Sequence, residues 1–212
     1  MKKNLLAICF VLMAVMALSG CGGKIRYPNY YTLNLPAPPD PPMQASARAS
    51  LAVRTFRAPT YLRQGAIVYK TSPEQIGFYA YHRWAMDPRE LVTNAVLEHL
   101  RAGGNFTQVK LYDGRADVEY ILRGRLDKLE EIDYEGAIKV EVAISAQMTR
   151  LDTGSTVWTN TVSEFGTVDK HEVPAVVTEM NATMARAIEK LLTPAPVAVA
   201  NAASMEANWM KK

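Results

Sequence analysis

Apolar and polar positions divide this chain into segments of two periods. Tyr30 to Leu35 alternates and predicts a first strand, followed by a proline-rich loop. Ser50 to Arg57 alternates again, with Leu51, Val53 and Thr55 on one face and Ala52, Arg54 and Phe56 on the other. Ile67 to Thr71 is a further short strand, and Ser72-Pro73-Glu74 turns it into the next. There Ile76, Phe78, Ala80, His82 and Trp84 share one face, and Tyr79, Tyr81 and Arg83 the other. The period then changes. Asp87-Pro88-Arg89-Glu90 is a helix start, with Asp87 as cap, Pro88 in the first turn and Glu90 completing a capping box. Leu91, Val92, Ala95, Val96 and Leu100 recur on one helical face, and Gly103-Gly104 ends the helix.

Strands follow: Phe106 to Tyr112, then Val118 to Leu129 after the Asp113-Gly114 turn. In Ile138 to Met148, Ile138, Val140, Val142, Ile144, Ala146 and Met148 share one face. Thr156 to Phe165 returns after Asp152-Thr153-Gly154. Three consecutive long strands predict an antiparallel meander. A second helix spans about Val173 to Leu192, with Val177, Met180, Met184, Ala187 and Leu191 as its core-filling stripe. From Thr193 the Ala/Pro/Asn-rich chain reads as a disordered tail. The expected fold is a single α+β domain, a largely antiparallel sheet with two helices packed on one face.

The N-terminus carries a different signal. Lys2 and Lys3 precede an unbroken apolar run, Leu5 to Ala17, too short to span ~30 Å of hydrocarbon comfortably. Leu18-Ser19-Gly20-Cys21 then resembles a bacterial lipobox. On that reading residues 1–20 are a signal peptide, and Cys21 becomes the acylated first residue, bearing a diacylglycerol and an N-acyl chain. More than one chain makes a firm anchor. Gly22 follows Cys21 where the enterobacterial sorting pattern has Asp for inner-membrane retention, so the outer membrane, periplasmic face, is expected over the inner. Residues 21–49 form the anchor, first strand and Pro-rich linker, 50–192 the folded domain and 193–212 the tail.

Composition narrows the chemistry. Cys9 leaves with the signal and Cys21 is acylated, so disulfides and thiolate catalysis are excluded from the mature body. Residues 24–89 hold nine Lys/Arg against three acids, and residues 90–212 hold 13 against 18. A basic portion near the anchor suits anionic lipid or an acidic partner, though ordinary surface solubility accounts for it as well. No run is dense enough for nucleic acid.

No catalytic or metal-binding constellation emerges. His82, His99 and His171 lie on a strand, a helix and a loop without metal-ligand spacing. Asp152-Thr153-Gly154 matches the aspartic-protease tripeptide, but it suits a hairpin turn and has no second copy. Glu130, Glu131, Asp133 and Glu135 form an acidic cluster that could attract a cation, but it reads more simply as a solvated hairpin end. Trp84, beside Tyr79, Tyr81 and Arg83, is an aromatic group of the kind that anchors interfaces, or else a packed strand–helix corner.

The ordered set of the lipobox, Tyr30-Tyr31-Thr32-Leu33, Tyr79-x-Tyr81-His82-x-Trp84 with Pro88, and the Leu91–Leu100 helix resembles the ABC-type transport auxiliary lipoproteins, the PqiC-like group. The resemblance covers about residues 28–192. It implies a non-enzymatic component without a cofactor, associated with an MCE-domain protein that conducts lipid between the two membranes. Through that protein it would meet a permease and an ATPase. Tyr79, Tyr81, Arg83 and Trp84 are the expected contact residues. A lipoprotein that helps assemble an outer-membrane protein or lipopolysaccharide machine is the alternative, and a periplasmic hydrolase is a more distant one.

Overall fold

A computed structural model describes residues 26–36 and 49–209, apart from Ala116 and Glu135. Cys21, the segment before it and most of the proline-rich linker lie outside the described residues. The order is β1 (Asn29–Tyr31), β2 (Ser50–Val53), a 3-10 turn (Leu62–Gln64), β3 (Ala66–Ser72), β4 (Gln75–Trp84) and α1 (Pro88–Ala102). Then come β5 (Gln108–Leu111), β6 (Tyr120–Ile132), β7 (Lys139–Arg150), β8 (Thr156–Thr167), α2 (Val173–Leu192) and α3 (Ala195–Trp209).

All eight strands join one sheet, and the fold is α+β. The meander β6–β7–β8 is antiparallel, as its alternation and turns predict. On its other side β6 forks. Its first residues, Tyr120 to Leu122, pair in parallel with β2, and its last, Glu130 to Ile132, pair in parallel with β3. β5 extends the first branch, and β4 and then β1 extend the second. The long ladders are antiparallel, but the sheet is mixed. Parallel partners come from distant parts of the chain and leave no turn signature in the sequence.

The core lies under α1 and α2. Val140, Val142, Ile144 and Met148 of β7 and Leu122, Leu126 and Leu129 of β6 are fully buried there, with Met180, Met184 and Leu191 of α2. α2 lies on β7 and β8, and α1 rests against β5, β6 and the 3-10 turn. Asp87 caps the start of α1 as expected, through Arg89 rather than through a capping box with Glu90. The Asp87 carboxylate accepts the Arg89 N–H at 2.9 Å, and the Arg89 guanidinium clasps the same carboxylate, holding its pKa below the usual range. At the other end Gly104 takes φ +60°, a left-handed turn that glycine adopts without strain.

The structure corrects two expectations here. The chain beyond Thr193 is not a loose tail: α3 packs against β8, and Ala195 and Val199, one turn apart, are buried. Alanine is the best helix former, and the Ala/Val stripe gives that helix a face to bury. The acidic hairpin end is only partly solvated: Asp133 is 39% exposed and Glu135 lies outside the described residues, but the two glutamates before them are buried. Glu130 is 2% exposed and Glu131 0%. The Tyr61 hydroxyl and Lys70 meet Glu130 at 3.3 and 3.9 Å, while burial pushes its carboxyl pKa up.

Candidate functional site

β4 departs from strict alternation. Three residues of β3, Ala66 to Val68, face six of β4, Phe78 to Arg83. Such a bulge re-aims side chains. Tyr79 and His82 have opposite parity, yet their rings meet edge-on at 5.8 Å. Tyr31 of β1 stacks on His82 at 5.8 Å, and its hydroxyl is hydrogen-bonded to His82 Nδ1 at 2.8 Å. Tyr79 also packs on Tyr69, whose ring crosses over Gly77, and donates its hydroxyl to Glu131 Oε2 at 2.9 Å. These inward contacts bind the short edge strand β1 to the sheet.

The other side of this edge faces water. Tyr27 is 79% exposed, Tyr30 63% and Tyr81 43%, and Ile76 and Phe78 are exposed beside them on β4. The Arg26 guanidinium lies 5.6 Å from the Tyr81 ring. β1 ends the sheet order, so its outer edge is unpaired among the described residues. An apolar, aromatic strip on a sheet edge is the kind of surface that partners cover.

Of the four residues expected to make contact, only Tyr81 belongs to this strip. Tyr79 is half-buried and bonded inward. Arg83 donates to the Gln64 carbonyl and so braces the 3-10 turn. Trp84 is 4% exposed and sits in the core, the strand–helix corner that was the alternative reading. Tyr27, Tyr30, Ile76 and Phe78 are the residues that sequence reasoning missed. The alternation of Ile76 and Phe78 was legible, but the face they present depends on the bulge.

Two other surfaces carry polar chemistry. On the sheet face away from the helices, Arg54, Arg57, Arg123 and Arg125 line a groove of about 780 Å³ with Ser145, Gln147, Thr159 and Thr161. The basic excess of the early chain is therefore not segregated in space, since half of these arginines come from the acidic half. Arg54 lies over the Tyr112 ring at 4.3 Å, and Arg125 pairs with Asp127. Between α1 and α2 a second groove, of about 630 Å³, is lined by Leu33, Leu35, Leu91, His99 and Ile188 among others. Burial lowers the His99 pKa there, against the pull of Glu189. Among the described residues, Glu131, Asp133 and His171 bring ligand atoms within 4.8 Å of one another.

The family model for the ABC-type transport auxiliary lipoprotein component matches residues 31–192. The chain belongs to this family. No curated protein matches it. Among solved structures, this auxiliary lipoprotein is similar to protein XCC0632 from Xanthomonas campestris at TM-score 0.74 and 12% identity, covering 83% of this chain and 99% of that one. It is also similar to an uncharacterized protein at TM-score 0.61 and 16% identity, covering 78% and 96%. The hypothetical protein CT253 from Chlamydia trachomatis matches at TM-score 0.51 and 8% identity, covering 72% and 98%. At such identities these likenesses concern the fold. The family match begins at Tyr31, so β1's last residue and its bond to His82 fall within the family's domain, whereas Tyr27 and Tyr30 precede it.

Proposed function

We propose that this auxiliary lipoprotein is a non-enzymatic tether, acylated at Cys21 on the periplasmic face of the outer membrane. It holds an MCE-domain conduit of an ABC-type lipid transport system in place. The observation that carries the reading is the exposed aromatic strip of β1 and β4 on a domain of this family. Tyr30, Phe78 and Tyr81 supply rigid apolar contact area, the two tyrosines with polar tips, and the unpaired edge of β1 offers backbone groups to an added strand. No helix among the described residues is long and apolar enough to cross a membrane.

The test is affinity purification of the full-length lipoprotein from cross-linked membranes. Wild type should recover an MCE-domain protein with its permease and ATPase. The triple variant Tyr30→Ala, Phe78→Ala, Tyr81→Ala, with an unchanged thermal midpoint, should lose that recovery. Undiminished recovery would remove the strip from the interface. Recovery of an outer-membrane assembly or lipopolysaccharide machine instead would overturn the transport assignment.

A further inference from the structure

Glu131 is an unusual residue to find in this core. It is a carboxylate with 0% exposure, and only one of its oxygens is hydrogen-bonded; the other has the His171 imidazole as its neighbour. Tyr79 donates to Oε2 at 2.9 Å, whereas Oε1 has no hydrogen-bond partner. Leaving a buried charged oxygen unpaired is costly, so the direction in which Oε1 points is informative.

It points toward His171. The Nε2 atom lies 3.3 Å from Glu131 Oε1, at ion-pair range, and 3.7 Å from Asp133 Oδ2. Backbone hydrogen bonds fix the two supports. Asp133 N–H donates to the Lys70 carbonyl at 2.8 Å, which holds the end of β6. Val168 N–H donates to Ile138 at 2.9 Å, which brings the loop before α2 beside that end. Three ligand atoms, one nitrogen and two oxygens, thus converge from β6 and from the loop between β8 and α2.

The two spacings to His171 Nε2, 3.3 and 3.7 Å, are close to those between ligands of one metal ion. Nitrogen and oxygen ligands at about 2.0–2.2 Å from a tetrahedral ion lie about 3.3–3.6 Å from one another. An all-oxygen site would favour calcium or magnesium, whereas imidazole with carboxylates favours zinc and its first-row neighbours. Tyr79 then acts as an outer support, since its bond to Oε2 leaves Oε1 free to ligate. His171 is 54% exposed and Asp133 39%, so an ion can enter and water can fill the remaining position.

We propose that Glu131, Asp133 and His171 bind one divalent transition-metal ion of the zinc class, clasping the end of β6 to the loop that opens α2. The test uses the full-length lipoprotein in detergent, stripped with chelator and titrated calorimetrically with zinc chloride, with calcium and magnesium chloride as parallel arms. One saturable zinc site per chain is expected, with a raised thermal midpoint and no comparable site for calcium or magnesium. His171→Ala, an exposed substitution that leaves the core intact, should abolish it. Tyr79→Phe should weaken it by about tenfold or more, and His99→Ala should leave it unchanged. Absence of a saturable zinc site, preference for calcium or magnesium, or zinc binding that survives His171→Ala would each overturn the assignment.

Discussion

Gly124 shows how one missing atom shapes this core. A Cβ at Gly124 would run into the ring of Phe56, which is 1% exposed and whose N–H donates to Thr93 Oγ1 at 2.9 Å. Gly124→Ala should therefore act as overpacking, lowering stability by about 1–3 kcal/mol. Adding Phe56→Leu should recover part of that loss, because the two residues share one space. Urea midpoints of the single and double variants check this, and strictly additive losses would refute it. His99 makes a pH prediction. Its folded-state pKa is lowered, chiefly by burial, so the unfolded chain binds its proton more readily. The His99 contribution to stability is thus fully present above the ordinary value of about 6.5 and is lost as pH falls through the lower folded value. Glu98 and Glu189 also line that groove. The thermal midpoint of wild type should therefore fall further on acidification than that of His99→Gln, with a constant difference at alkaline pH. Parallel curves would contradict this.

At the scale of elements, α1 and α3 make contrasting cases. The Asp87-Pro88 start of α1 is local chemistry, visible in four consecutive residues. Asp87→Ala should cost about 1 kcal/mol through the lost cap, with the Arg89 clasp lost as well. Chemical denaturation reads that cost, and an unchanged midpoint would contradict it. α3 lacked any such signal, because Pro194 and Pro196 precede its body and alanine-rich chain resembles a linker. Its place was decided by what it covers. Val199 is 1% exposed, so truncation after Thr193 should remove about 1.5–3 kcal/mol, the transfer free energy of one fully buried valine. A loose tail would leave the thermal midpoint unmoved. β4 lies between these cases. Its existence was legible from alternation, while the bulge that separates Tyr79 and Trp84 from Tyr81 was not.

Across the whole molecule, the segment Thr32–Pro36 leads from β1 and ties that edge of the sheet to the helices. It runs along the groove between α1 and α2, where Asn34 N–H donates to Asn181 Oδ1 at 2.6 Å and Leu33 and Leu35 pack on the core. Asn181→Ala should release this strap, so that amide exchange at Asn34 quickens while protection in β6 and β7 is kept. Exchange at Asn34 equal to wild type would show that packing alone holds it. Such long-range ties mark the limit of what the sequence carries. By itself it determined the elements that obey a period, the α1 cap, the β6–β7–β8 meander and the family, because each depends on residues near one another in the chain. Of the four expected contact residues, Trp84 is buried, Tyr79 bonds inward and Arg83 braces the 3-10 turn, which leaves Tyr81 exposed. The fork of β6, the arginine groove, the α3 face and the convergence of His171 on Glu131 were decided only in three dimensions. Each joins segments far apart in sequence, and neither period nor turn chemistry encodes which distant partner a strand edge or a buried carboxylate will meet.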